Sequence, residues 1–363
     1  MPNQRFHEID LLRGLACIAV VAFHYLSRGQ DAGWISTHAH PAIQSVARFG
    51  YLGVHLFFII SGIVIFMSAQ GSSVRNFAAS RAARLYPALW VAAPITAAFA
   101  GALNRSDFQV SIPTLLANMT MLPHWFKVEF VDGAYWSLAV EVQFYLLVAL
   151  AIAFKGLDRP EWWVGCWLAV AAVNAVRPMY PVELWLAAKY ASLFCAGICF
   201  YLIKTRGSTA VRLGLIAVSW VLSVFYLAGP NLRSLNGAPP EYVFACVDTA
   251  VLTTLYALFY AWTAGHGHVK RSGFAIWAGL LTYPVYLLHQ NIGYALLEAL
   301  APTRMAFSLR LLVVAAVVVT MAMAIVVYVE RPLAPKLRRW ISGSAAPRHA
   351  QGDANGRRQR SAG

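Results

Sequence analysis

The sequence predicts an all-α protein, a polytopic membrane bundle of about ten transmembrane helices. Three observations predict it. Hydrophobic residues fill 59% of 363 positions and charged residues 12%, against about 45–50% and about 25% in soluble domains. Mean hydropathy is +0.58. The apolar excess is divided into ten runs spread along almost the whole chain. This balance excludes a secreted disulfide scaffold, a disordered chain and an ordinary cytosolic enzyme.

The runs lie near 12–27, 50–69, 85–103, 133–154, 162–176, 187–203, 211–229, 242–263, 274–300 and 308–329. A span needs about 20 apolar residues, and the fifth run is short of that. Polar or Pro/Gly-bearing segments such as 71–76 and 229–241 separate them. Pro284 is expected to kink the ninth run. The two long loops are near 28–49 and 104–132. The first run carries His24 and has no A-x-A cleavage pattern, so it reads as a retained helix rather than a signal peptide. The membrane domain is expected over 1–335, followed by a basic, disordered tail over 336–363.

Net charge is +14. Membrane topology, rather than nucleic acid, accounts for the excess, because Lys and Arg concentrate in cytoplasmic loops. With both termini in the cytoplasm, 20 of the 29 basic residues fall inside, and without the tail the balance is 12 to 9. Both long loops then lie outside. Five cysteines (Cys17, Cys166, Cys195, Cys199, Cys246) sit in apolar stretches without metal-ligand spacing and read as packed or lipid-facing thiols.

Ionisable residues inside apolar spans are costly and mark function by default. Here they are Arg13, His24, His55, Glu141, Lys189, Asp248, His289, Glu298 and Glu330. Arg13 and His24 are eleven residues apart, three helical turns plus about 20°, so they share one face about 16 Å apart along the axis. Spacing alone equally allows a snorkelling Arg and an unrelated buried His. Ser61-Gly62, inside FFIISGIVIF (57–66), suits close helix packing. Arg81 and Arg84, in RAARLYPALW (81–90), share a face at a helix start; such guanidiniums suit phosphate, or plain anchoring at a membrane edge. Glu141 and Tyr145, in WSLAVEVQFYLL (136–147), are i, i+4 neighbours. A carboxylate there must pair, protonate or face a polar cavity. In LTYPVYLLHQNIG (281–293), His289 follows Tyr286 by three residues and reads as a structural or a catalytic histidine. Glu330-Arg331-Pro332 closes the last span.

No single motif is specific, but their order is. Arg13 and His24, FFIISG, RAARLYP, WSLAVEVQFY, TYPVYLLHQ and a terminal ERPL follow one another over residues 6–335. In this the chain resembles acyltransferase family 3, integral-membrane O-acyltransferases of bacterial surface glycans, Nod factors and macrolides. The resemblance implies a ten-helix bundle in the bacterial cytoplasmic membrane. It implies transfer of an acyl group, commonly acetyl, from cytoplasmic acyl-CoA to a hydroxyl of a carbohydrate or glycosylated acceptor. It makes His24 the catalytic histidine, with Arg13 and Glu141 beside it in the machinery, and assigns Arg81, Arg84, Ser61 and Gly62 to the donor. Trp136, Ser137, Tyr145, Tyr286 and His289 become supporting or substrate-contacting residues. No metal and no permanently bound cofactor is implied. Many members carry an acidic residue shortly before FFxxSG, where this chain has Val54-His55. No fused soluble domain is seen, so acceptor recognition is expected in the membrane domain and outer loops, where Trp34, Trp125, Phe126 and Phe130 suit sugar stacking or interface anchoring.

The expected mechanism brings acyl-CoA phosphates to Arg81 and Arg84 and the thioester to His24. An imidazole, with an ordinary pKa of about 6.5, can act as general base or transient acyl carrier. Glu141 is expected to orient that imidazole. Two other classes remain: a secondary transporter, which predicts inverted repeats that the sequence does not display, and an acyl translocator feeding a separate transferase.

Overall fold

A computed structural model of the chain describes residues 6–37, 39–102, 109–233, 240–267, 269 and 272–343. Among these, every regular element is helical. Helix α1 (His7–Phe23) runs through a π-helical turn (His24–Arg28) into the short α2 (Gly29–Asp31). Next come α3 (Pro41–Ala47), a 3-10 turn (Arg48–Tyr51), α4 (Leu52–Ala69) and α5 (Val74–Ala102). After α6 (Ile112–Asn118) and a 3-10 turn (Pro123–Phe126) follow α7 (Tyr135–Ala153), α8 (Pro160–Val176), α9 (Tyr180–Leu186) and α10 (Ala188–Arg206). The chain closes with α11 (Ala210–Arg233), α12 (Pro240–Thr263), α13 (Gly273–Ala299), α14 (Phe307–Ile325), a second π-helical turn (Val326–Glu330) and α15 (Arg331–Ser342).

The described residues of all ten apolar runs fall mainly in helices, and seven helical stretches among the described residues are long and apolar enough to cross a membrane. Helices α8 and α13 fall short in length or hydropathy. Helix α8 has 17 residues, and α13 carries tyrosines, His289, Gln290 and Asn291 in place of aliphatics. Among the described residues, length and composition by themselves support seven of the ten expected crossings.

Two boundaries differ from expectation. Helix α5 starts at Val74, eleven residues before the third apolar run, so Arg81 and Arg84 lie within it rather than at its start. Ser73 Oγ accepts the Asn76 N–H at 3.3 Å, an N-cap bond that starts the helix early. The tail expected from 336 is helical through Ser342, and Gly343 ends α15 at φ +65°, a left-handed conformation that glycine adopts without strain. Positions 344–363 of the expected tail, 234–239 of the loop at 229–241, and Arg5, Lys270 and Arg271 lie outside the described residues.

Helix α1 packs between α4 and α13; α4 packs on α10, and α13 on α5 and α14. Helices α8, α11 and α12 surround α10. The α4–α10 crossing is made by Gly62 against Gly197. A Cβ on Gly62 would run into the Phe194 carbonyl oxygen, and one on Gly197 into that of Ile59. Small residues let the two backbones touch where lipid supplies no hydrophobic drive for helix association. Proline sits inside α5 (Pro87, Pro94) and α13 (Pro284), and these helices continue through it. Hydroxyls bond nearby main-chain carbonyls across the helix interfaces: Tyr283 donates to Leu85 O at 2.9 Å and Tyr135 to Leu287 O at 3.0 Å.

Cys17, Cys195 and Cys199 are buried free thiols, and Cys166 and Cys246 are exposed.

Candidate active site

Three cavities follow one another through the bundle. At the end that carries Arg13 and α15, a vestibule of about 840 Å³ is lined by Arg13, Ser61, Arg81, Arg84, Glu141 and Tyr145, among others. A neck of about 50 Å³ shares Arg13, Ser61, Glu141 and Tyr283 with it and adds Phe57, Ser137 and Tyr286. Tyr286 and Val54 then pass from the neck into a chamber of about 300 Å³ that holds His24, His55, Trp136 and Lys189. Helix α1 spans the series, with Arg13 at vestibule and neck and His24 in the chamber. The shared face read from the spacing of Arg13 and His24 is thus the face that lines the cavities.

In the chamber, the His24 imidazole has its partners on α1 and α13. His24 Nδ1 lies 2.9 Å from Val20 O and 3.1 Å from His289 Nε2. His289 Nδ1 in turn lies 2.8 Å from Tyr286 O. A carbonyl only accepts, so the Nδ1 of each ring carries the proton facing it. His289 Nε2 is then a lone pair, and His24 Nδ1–H is shared between it and Val20 O. What remains on neutral His24 is an Nε2 lone pair. The two rings meet edge to face with centroids 4.9 Å apart.

Local folding sets this geometry. His24 opens the π-helical turn, where the Gly29 N–H donates to His24 O in an i to i+5 bond. Such turns occur preferentially at functional sites. Tyr25 OH donates to the His289 carbonyl at 2.6 Å and fixes the turn against α13. His289 itself is fully buried. On the far side of α13, Asp132 accepts the Asn291 N–H at 3.0 Å and the Ala134 N–H at 2.8 Å, joining the loop before α7 to α13.

Glu141 occupies a different place from the one expected. It lines vestibule and neck, and its Oε1 accepts from Ser61 Oγ and from Tyr145 OH, each at 2.8 Å. His24 has its ring partner in His289, so the expected Glu141–His24 orientation is replaced by a histidine pair. The cause is the crossing of α1 with α13, which faces His24 with His289, whereas α7 meets α4 and α5 nearer the arginines.

Arg84 Nη1 lies 3.5 Å from Glu330 Oε1 and its guanidinium 5.4 Å from the Tyr283 ring centroid. Arg81 sits 5.8 Å from the Tyr145 ring centroid, and its Nε is buried without a protein hydrogen-bond partner. Ser137 Oγ and Tyr286 OH bond each other at 2.7 Å in the neck, and Trp136 lies on the chamber side of it. Gly62 does not line the cavities; it is spent on the α4–α10 contact. Val54 and His55, at the position where the resemblance expects acid, line the chamber.

The sequence reading missed Tyr51, which lines the chamber and donates to buried Asp248 Oδ1 at 2.6 Å. It also missed Arg338 and Arg339, which line the vestibule from α15. Their helical spacing from Arg331 was a signal available in the sequence. The chamber's aromatic rings come from helices and their ends, among them Phe23, Trp136, Tyr190 and Tyr226, and none of Trp34, Trp125, Phe126 and Phe130 lines it. Among the described residues, no cluster of three or more His, Cys, Asp or Glu has metal-binding geometry.

Residues 6–329 match the family described as "Acyltransferase domain". The chain is 27% identical over 314 residues to the acyltransferase MdmB of Streptomyces mycarofaciens, covering 78% of each chain. It is 25% identical over 190 residues to the peptidoglycan O-acetyltransferase OatA of Listeria monocytogenes, covering 47% of this chain and 28% of that one. No solved structure matches.

Proposed function

This chain belongs to the acyltransferase family that its residues 6–329 match, as a multi-pass membrane O-acyltransferase, and from that premise we propose that it takes an acyl group from acyl-CoA and esterifies a hydroxyl of a carbohydrate-containing acceptor. The observation that carries the reading is the series of cavities that links an arginine-lined vestibule to His24. Phosphates of the donor meet Arg81 and Arg84, whose forked donors suit them. The pantetheine arm follows the Arg13 face of α1 for about 16 Å, the rise of eleven helical residues. The small neck favours a short acyl group such as acetyl.

His24 Nε2 takes the proton from the acceptor hydroxyl as its oxygen attacks the thioester carbonyl. The carbon–sulfur bond then breaks, and the thiolate leaves with the proton returned by the His24 imidazolium. His289 and Val20 O hold the tautomer that leaves Nε2 basic, and His289 Nε2 accepts from the imidazolium Nδ1–H. Tyr286 OH, between neck and chamber, is the candidate donor to the developing oxyanion. Aromatic rings beside Tyr51, His55 and Lys189 suit a sugar, which offers apolar faces and hydroxyls together. The name of the relative OatA, a peptidoglycan O-acetyltransferase, supports an acceptor of that class. With the vestibule on the cytoplasmic side, both termini are cytoplasmic, in the inner membrane of a bacterium.

The test is acyl-CoA turnover by the purified chain in nanodiscs, with an acceptor panel read by mass spectrometry. CoA release that is lost in His24→Ala, with a raised donor KM in Arg81→Ala, is the expected result. Full turnover in His24→Ala removes this histidine from the chemistry. An acyl group trapped on His24 makes it a covalent carrier instead of a general base, and CoA release without acylated acceptor favours a translocator.

A further inference from the structure

Helix α15 turns one face to the vestibule. Arg331, Ala334, Pro335, Arg338, Arg339 and Ser342 all line it, at offsets of 0, 3, 4, 7, 8 and 11, which is a single helical stripe. The remaining positions include Leu333, Leu337, Trp340 and Ile341, with Leu333 and Trp340 exposed. An amphipathic helix of this kind lies along a bilayer surface with its apolar side in the lipid boundary. It is fastened to the bundle: it packs on α5, and Arg75 Nε donates to the Ile341 carbonyl at 2.7 Å.

The arginines of the vestibule fall into two groups. Those of α5 are held in place. Arg84 is paired with Glu330 and lies against Tyr283, and Arg81 lies beside Phe77 and Tyr145. Those of α15 are exposed at the rim: Arg331 lies 4.9 Å from the Trp277 ring centroid, Arg339 Nε donates to the Pro335 carbonyl of its own helix at 3.3 Å, and Arg338 has no protein partner among the described residues. Six arginines and two glutamates line the vestibule, a formal balance of four positive charges. A CoA nucleotide carries a pyrophosphate and a ribose 3′-phosphomonoester, together about four negative charges, and the monoester alone supplies up to about two of them.

We propose that α15 is the wall of the donor site that reads the 3′-phosphomonoester of acyl-CoA through Arg338 and Arg339. This rests on the donor reading above. A donor whose thioester lies in the neck leaves its adenosine ribose at the rim, where α15 is. The pyrophosphate, nearer the pantetheine, falls to the preset guanidiniums of Arg81 and Arg84. Arginine forks bind a phosphomonoester in two-point fashion, which a lysine does not reproduce.

The experiment compares binding of CoA and of dephospho-CoA, which lacks only the 3′-phosphate, to the full chain in phosphatidylcholine nanodiscs. Wild type is expected to prefer CoA by about tenfold or more. Arg338→Ala/Arg339→Ala is expected to bind both ligands as wild type binds dephospho-CoA, with Arg338→Lys/Arg339→Lys in between, while Arg81→Ala weakens both ligands alike. Continued preference for CoA in the double alanine variant overturns the proposal, as does an equal loss for both ligands. A second arm adds anionic lipid. If the double variant changes only the dependence on that lipid, α15 binds headgroup phosphate and the proposal fails. Absence of CoA binding to wild type sinks the donor reading, and this one with it; CoA binding without 3′-phosphate preference sinks this one alone.

Discussion

His289 Nε2 stands 3.1 Å from His24 Nδ1, and the two rings, 265 positions apart in the chain, form one proton-ordered pair. His289 is committed through Nδ1 to the Tyr286 carbonyl, so it can only accept from His24. Replacing His289 by Phe leaves Val20 O as the single fixed acceptor for His24 Nδ1–H. We expect a fall in kcat of about tenfold or more with an unchanged donor KM, against at least about 10²-fold for His24→Ala. Combining the two substitutions is expected to cost little more than His24→Ala alone, because the residues act as a unit. Steady-state kinetics on the three variants decide it; a fully additive double variant separates their roles.

Glu141 joins α7 to α4 by accepting from Ser61 while also holding Tyr145. Removing one hydroxyl leaves the carboxylate with the other. The Glu141→Ala and Ser61→Ala effects on turnover and thermal stability are therefore expected to be non-additive by about 0.5–3 kcal/mol. A double-mutant cycle reads this, and additivity within about 0.3 kcal/mol shows the bond to be energetically silent.

The Gly62–Gly197 contact has no room for a methyl group. Gly62→Ala is expected to destabilise the chain by about 1–3 kcal/mol, as overpacking does. Gly214→Ala is the control, since nothing lies within 4 Å of a Cβ there; in a helix interior it is expected to be neutral or to stabilise by up to about 1 kcal/mol. Thermal melts of both variants in detergent compare them directly. Equal melting temperatures contradict the assignment of Gly62 to packing.

The proposed donor is a polyanion, and the arginine-lined vestibule would attract it through a screened field. Raising ionic strength from about 0.01 M to about 0.15 M shortens the Debye length from about 30 Å to about 8 Å. The donor KM is expected to rise with salt while kcat stays level. Arg81→Ala is expected to flatten that dependence. Initial rates over a salt series test it, and a KM indifferent to salt points to recognition by shape rather than charge.

Much of the fold was legible in the sequence. The described residues of every apolar run became mainly helix, because a segment of that composition must satisfy its main-chain groups internally in lipid. Ionisable residues stood out for the same reason, and Arg13, His24, Glu141 and His289 all came to lie around one cavity series. Less legible were the ends. Ser73 started α5 early, and the first residues of the basic segment read as disordered, 336–342, became the end of α15, which packs on α5. Gly62, assigned to the donor by resemblance, went to packing instead, which its small size had equally allowed.

By itself, then, the sequence determined the class of the protein, the order of its helices and the residues costly enough to demand a purpose. Tertiary structure alone decided their partners. Periodicity describes one helix at a time: it put Arg13 and His24 on one face but was silent on which helix faces them. The choice of His289 rather than Glu141 beside His24, and the alignment of vestibule, neck and chamber, arise where α1, α4, α7 and α13 converge. Such contacts depend on how closely helices approach and at what register, and these follow from packing of the whole bundle rather than from any local stretch of chain.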